Sequence, residues 1–399
     1  MNAVRLRGSL ALRRDVTGLT PVDGPLLIVL PSLGTTTTVW DGVIDSLHRD
    51  PALAALRILA IDLPGHGMSP AAAEPFSIAD LAAAVLDVAD ELGDHTFHVA
   101  GISLGGALAL ELAVSVPTRV QSLTMMCSGS RIGSTESWQE RATTVRASGT
   151  ASLVTGSASR WFAPGFLGQD GGVGARALAE LIDVDDQSYA YCADALGRFD
   201  RSVEAMRLSM PALMISGELD GVTTADTMRR LGESIPLSTT VNVRGASHLA
   251  VVERPQEVAR ALGRHLAGQL GRWETARAGD KVRRAVLGDA HVDAARAATT
   301  SDTAAFQDFI GRYAWGEIWA RPGLSRRDRS IATLASLVTA GHEAELRMHL
   351  RAALRNGLSR DELSEILLHT SLYAGLPAAN AAFAVLRDVM NNFTEDIDG

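Results

Sequence analysis

Cysteine is nearly absent. Cys127 and Cys192 are the only two in 399 residues, which excludes a disulfide framework and a cysteine-ligated zinc site. Long apolar runs are also missing: the longest, Val99 to Val116, is interrupted by Ser103, three glycines and Glu111, too polar for a membrane span. Basic excess is lacking too, with 37 Lys and Arg against 46 Asp and Glu, a net −9; neither nucleic acid nor membrane is an expected partner. Residues 1–16 carry four arginines but no apolar stretch followed by a cleavage site, so no secretory signal is expected there and the expected location is the cytoplasm. With 46% apolar and 21% charged residues the chain has the composition of a folded protein rather than a disordered one. No internal repeat or low-complexity tract is present.

What is present falls into two unlike parts. Up to about residue 266, apolar runs at 26–32, 56–64, 97–103, 120–128, 211–219 and 238–246 alternate with helical patterns such as 78–92 and 105–115. The runs are apolar on both faces, which predicts a covered parallel sheet of α/β type. Residues 135–205 interrupt the rhythm and predict a helical lid. Residues 267–280 read as a linker. From 281 to 399 there is no convincing strand, and helices are expected at 302–313, 325–356, 359–373 and 378–392. Ser359 with Glu362 forms a capping box there, and Gly357 stands where a helix should end.

Gly101-Ile-Ser103-Leu-Gly105 is a G-x-S-x-G between a strand and a helix, the setting of a nucleophile elbow. A serine needs a base. Asp220 and His248 follow at the ends of later strands, in the chain order Ser, Asp, His that such sheets require. Glu218 is the competing acid. The oxyanion donors predicted are the backbone amides of Leu104 and, in the loop after the first strand, Leu33 beside Gly34. His66 reads as a structural turn residue and His98 as a core residue. Thr35, Thr36, Thr37 and Thr38 either line the pocket or solvate the turn.

The segments SLGTTTTVWD, DLPGHGMS, GISLGG, SGELD and GASHLAVVERP together resemble the α/β-hydrolase superfamily, and more narrowly the 3-oxoadipate enol-lactone hydrolases. Arg131 to Arg141 and Arg160-Trp161-Phe162 are similar to the lid of that subfamily. The resemblance implies an α/β-hydrolase fold over 1–266 and places Trp138 and Arg131 at the substrate.

The second part, from Val286-Leu-Gly-Asp-Ala-His291 through Arg312–Gly323 and Arg326–Arg329 to Tyr373–Asn380, resembles the 4-carboxymuconolactone decarboxylases of the all-α AhpD-like family. Thiol-peroxidase relatives carry Cys-x-x-Cys and a later histidine; here His342, Glu345 and His349 stand at those positions. On a continuous helix these three share one face, which predicts two imidazoles and a carboxylate brought together. A solvated polar face and a metal site remain open alternatives, no metal being assigned, and His291 either joins the site or caps a helix. Arg329, or another of the arginine run, could orient substrate carboxylates. No cofactor is needed, because a carboxymuconolactone delocalises the electrons left by CO₂ into its own unsaturated lactone. A histidine could supply the proton.

The two resemblances imply consecutive reactions on small-molecule lactone carboxylates: decarboxylation to an enol-lactone, then its hydrolysis to 3-oxoadipate, in the protocatechuate branch of aromatic catabolism. The competing readings are a serine esterase or thioesterase of other substrate, and a non-catalytic oligomerisation role for the second domain. A homo-oligomer through the C-terminal domain is expected, since relatives of that domain form oligomers.

Overall fold

The computed structural model describes residues 4–5, 11–12, 14–17, 24–169 and 171–392. Most of the N-terminal stretch 1–16 and the final residues 393–399 lie outside this set. The chain divides into two compact units, Met1–Leu270 and Gly271–Gly399.

The first unit is built on a sheet of seven strands in the order β3-β5-β4-β6-β7-β8-β9: β3 (Arg14–Thr17), β4 (Leu26–Leu30), β5 (Arg57–Ile61), β6 (Phe97–Ile102), β7 (Val120–Met126), β8 (Ala212–Gly217) and β9 (Ser238–Val243). Two short strands, β1 (Val4–Arg5) and β2 (Ala11–Leu12), form a separate antiparallel pair. Only β3 is antiparallel within the main sheet. The six apolar runs of the sequence are the six parallel strands. Of the interior strands, β4, β6 and β8 are buried along their whole length, as strands covered on both faces must be.

Parallel pairing puts the carboxyl ends of β4, β6, β8 and β9 at one edge, and the residues after each strand gather there. Helix Leu104–Ser115 leaves β6 directly. Leu104 through Ala113 are all buried, so the apolar run of the sequence is a core helix. It sits unusually close to the sheet: a Cβ at Gly105 would lie 2.4 Å from the Leu30 carbonyl oxygen, so this position admits no side chain.

The lid is helical, with helices Thr135–Ser148, Val154–Trp161, Val173–Ile182, Asp186–Gly197 and Ser202–Ala205. The segment 267–280, expected as a linker, is helical and belongs to one helix, Pro255–Leu287. Its residues are mostly good helix formers and no proline interrupts it.

The second unit is all helix: Asp289–Ala297, Ser301–Phe309, Arg326–Ala340, Glu343–Arg355, Arg360–Ala374 and Leu376–Asn391, around a core that includes Leu334, Leu350, Leu363, Leu367 and Val389. The single helix expected over 325–356 is two, because Gly341 adopts φ +73° and ends the first in the left-handed region. Ile310–Trp319 forms a ten-residue π-helix, a rare form that concentrates at functional sites. Gly279 and Gly316 allow the neighbouring backbones to touch there; a Cβ at Gly279 would meet the Gly311 carbonyl oxygen at 2.1 Å. Among the described residues no helix is long and apolar enough to cross a membrane.

Candidate active sites

Ser103 occupies the tight turn between β6 and its helix with φ +55° and ψ −116°, a conformation costing a non-glycine residue on the order of 1–3 kcal/mol. The turn is held by the Ser103 amide donating to Met126 at 2.9 Å and by Ser128 Oγ donating to the Ser103 carbonyl at 2.7 Å. Asp220 follows β8 and His248 follows β9. His248 Nδ1 lies 2.9 Å from Asp220 Oδ2, both side chains buried. Asp220 also accepts from the Val222 and Thr223 amides at 2.7 and 3.1 Å and from the Thr223 hydroxyl at 2.8 Å. Burial pushes the Asp220 pKa up, but the bond to His248 and these donors outweigh it and hold the carboxyl below its ordinary value. Glu218, the competing acid, is exposed and accepts from the Gly245 amide at 2.8 Å. Thr223 carried no motif and was invisible in sequence.

The loop expected to supply an oxyanion donor is held by His66, the residue read as structural. His66 is fully buried; its Nε2 accepts from the Gly34 amide at 3.0 Å and its Nδ1 is 2.8 Å from the Pro64 carbonyl. Nδ1 therefore carries the proton. Burial lowers the pKa of this imidazole to about 4, so it stays neutral and able to accept. The Gly34 amide is thus occupied, while the amides of Leu33 and Leu104 have no hydrogen-bond partner among the described residues. The threonines do not simply meet solvent. The hydroxyls of Thr36 and Thr38 each donate to Glu180 on the lid at 2.8 Å, and the Thr37 amide donates to Asp62 at 2.7 Å. His98 is buried in β6 and bonds Ser122 at 2.8 Å, as a core residue.

The lid reaches the histidine loop through its backbone. Leu249 N–H donates to the Trp161 carbonyl at 2.9 Å and Ser247 Oγ to the Arg160 carbonyl at 3.3 Å. Glu253, buried, accepts from the amides of both Ser247 and Ala163, at 2.5 and 2.7 Å. Arg131, expected at the substrate, is exposed and lies 4.0 Å from Asp200. Trp138 donates its indole N–H to the Ile132 carbonyl at 2.6 Å and carries the Arg141 guanidinium 5.6 Å over its ring. Arg141 donates to the Tyr189 hydroxyl at 3.3 Å, and Tyr189 stacks on His66 with centroids 6.4 Å apart. Arg160 has its pKa lowered, by burial first and then by Arg141. Neither Arg141 nor Arg160 has a carboxylate partner among the described residues, although both are near Tyr189. The sequence signal for these two was only their place in the lid motif.

In the second unit the π-helix presents Trp315 and Trp319, centroids 5.1 Å apart, and His349 stacks on Trp319 at 6.3 Å. Burial lowers the His349 pKa, the nearby His291 lowers it further, and Glu345 opposes both. His291 and Glu345 thus lie within electrostatic reach of the His349 ring. His342 is the N-cap of helix Glu343–Arg355, in non-helical backbone (φ −89°, ψ +78°) and exposed, so the unbroken helix expected through it begins only after it. Among the described residues no group of three His, Cys, Asp or Glu side chains could hold a metal ion. Arg329 donates to the Arg321 carbonyl at 2.9 Å, and its Nε is buried without a partner among the described residues.

Comparison with known proteins accounts for both parts. Residues 27–261 match the model of the alpha/beta hydrolase family, and residues 304–388 match that of the carboxymuconolactone decarboxylase family. The 4-carboxymuconolactone decarboxylase of Acinetobacter baylyi is 51% identical over 114 residues, covering 29% of this chain and 85% of that protein. The chain belongs to both families. The 3-oxoadipate enol-lactonase 2 of the same organism is 32% identical over 234 residues, covering 59% of this chain and 85% of the relative. The crystal structure of the enol-lactonase from Burkholderia xenovorans LB400 superposes on this fusion chain with a TM-score of 0.61 at 28% identity, covering 65% of this chain and 97% of that one.

Proposed function

We propose that this hydrolase–decarboxylase fusion performs two consecutive steps, decarboxylating 4-carboxymuconolactone in its C-terminal domain and hydrolysing the resulting enol-lactone to 3-oxoadipate in its N-terminal domain. The observation that carries this reading is the pairing itself: one chain joins a relative of a 4-carboxymuconolactone decarboxylase to a relative of a 3-oxoadipate enol-lactonase, and the product of the first reaction is the substrate of the second.

In the hydrolase domain Ser103 Oγ attacks the lactone carbonyl and its proton passes to His248 Nε2. Asp220 holds Nδ1–H and offsets the imidazolium charge. The Leu33 and Leu104 amides receive the developing oxyanion. The ring oxygen leaves as an enolate and becomes a ketone, which makes opening hard to reverse. Water then releases 3-oxoadipate from the acyl-serine. Arg141 and Arg160, two guanidinium groups without acidic partners among the described residues, supply the positive charge that a carboxylate-bearing lactone calls for, with Trp138 as the platform under Arg141.

In the decarboxylase domain His349, Glu345 and His291, backed by Trp319, form the proton-donating site. The C-terminal domain also assembles copies of the chain. Leu372, Tyr373 and Leu376 are 78%, 76% and 75% exposed and adjoin along the end of one helix and the start of the next; a second copy burying them accounts for apolar residues otherwise left in water.

The test is to feed 4-carboxymuconolactone to the purified chain and follow CO₂ and 3-oxoadipate separately, for the natural sequence and for Ser103→Ala. The variant should release CO₂ at the normal rate and accumulate enol-lactone, with hydrolysis down roughly 10⁴- to 10⁶-fold. Hydrolysis within tenfold of the parent would remove Ser103 from the mechanism.

A further inference from the structure

In the second unit a cavity of about 440 Å³ opens between the start of helix Asp289–Ala297 and one face of helix Glu343–Arg355. Arg347, Arg351 and Arg355 line it at four-residue spacing and His291 lines the other wall; side chains four apart rise from the same face of a helix.

The charges around this cavity do not cancel. Arg347 is paired with Asp388. Asp289, the one acid in the lining, is taken by Arg284 at 3.0 Å. Arg355 donates to the Leu287 carbonyl at 2.7 Å but has no carboxylate partner among the described residues, and Arg351 has no partner of any kind among them. The helix that forms the other wall begins at Gly288 without a side-chain cap, which leaves its first amides open toward an anion. Gly288 has φ +88°, and a Cβ there would lie 3.2 Å from Arg355 Cζ. The glycine therefore lets the guanidinium rest against the helix start. Two uncompensated guanidinium groups, an imidazole and a helix N-terminus surround a space large enough for a small organic dianion.

We propose that this cavity binds dicarboxylates, and that Arg351 and Arg355 position the carboxylated lactone for CO₂ loss; the second clause rests on the decarboxylase reading above. Decarboxylation breaks the C–CO₂⁻ bond. The electron pair enters the ring toward the lactone carbonyl, CO₂ leaves, and a proton from one of the two imidazoles, His291 or His349, ends on carbon. A guanidinium gripping the departing carboxylate would stabilise the reactant more than the transition state, because that charge is lost. The arginine pair therefore holds the carboxylate that stays.

The experiment uses the full chain and Arg351→Gln, Arg355→Gln and the double variant. Succinate and acetate are titrated by calorimetry, and CO₂ release and lactone hydrolysis are measured in parallel. Succinate is expected to bind the parent saturably and compete with 4-carboxymuconolactone, with acetate at least tenfold weaker. Each single variant should raise KM for CO₂ release about tenfold or more, the scale of one charge-assisted hydrogen bond. The kcat should stay within about threefold and lactone hydrolysis should be unchanged. Lysine at either position should restore part of the loss, keeping the charge without the fork. Absence of saturable succinate binding, or undiminished binding by a folded double variant, overturns the site. Binding that is lost while KM is unchanged overturns the substrate assignment. If the parent releases no CO₂, the decarboxylase reading fails, and the succinate titration still decides whether the cavity takes dicarboxylates.

Discussion

Replacing His66 by Phe should damage lactone hydrolysis without touching the expected triad. The ring is fully buried, and both nitrogens are engaged, with the Gly34 amide and the Pro64 carbonyl. Phenylalanine keeps the stacking on Tyr189 but leaves a buried N–H and a buried carbonyl without partners, a cost of about 1–3 kcal/mol. The Gly34 amide adjoins the Leu33 amide assigned to the oxyanion. Loss of one such donor costs roughly 10²- to 10³-fold in kcat; loosening its loop should cost at least about tenfold, with decarboxylation unchanged. Stability against pH gives an independent readout. The folded pKa of about 4 lies below the ordinary value of 6.5, so the unfolded chain binds the proton more readily. His66 therefore contributes fully above pH 6.5, and its contribution is lost as pH falls toward 4, a difference of about 3 kcal/mol. His98 and His265 are depressed in the same direction, to about 4, so the parent as a whole should weaken steeply across this range. The variant should lose its stability less steeply by about the share of one histidine. Denaturant unfolding at pH 7 and pH 5, with kcat for a carboxylated enol-lactone, measures both. Parental kcat together with an unchanged pH slope would refute the role given to His66.

Asp220→Asn should fold and lower hydrolysis by about 10⁴, because the amide favours the wrong tautomer of His248; a larger loss from Glu218→Gln, measured side by side, would reverse the choice of acid. His349→Gln should slow CO₂ release by at least about 10² and leave hydrolysis nearly unchanged, while His342→Gln, exposed and outside the helix, should have little effect; a CO₂ assay on both variants separates them.

Much of the hydrolase site was legible because strands that are apolar on both faces are necessarily covered, and parallel strands deliver the loops at their carboxyl ends to one edge. That logic brought His248 to Asp220 from residues 28 positions apart. The helical second half was legible from its periodicity, and the capping box of Ser359 and Glu362 formed as its spacing required. Some features depended on backbone detail that composition does not encode. Gly341 in the left-handed region splits one expected helix into two, which makes His342 the cap of the second rather than a residue inside one helix. The π-helix over Ile310–Trp319 arises where Gly279 and Gly316 let backbones touch. Other features needed contacts between segments distant in sequence. His66 reaches Gly34 across 32 residues, and Thr36 reaches Glu180 across 144. Each of those residues has an ordinary local role available, and only the partner that folding supplies selects another. The sequence by itself therefore determined the two fold classes and the order of the expected triad, because periodicity and strand ends are local properties of the chain. Tertiary structure alone decided which partners the buried histidines and threonines take, because a buried polar group needs a partner to replace water.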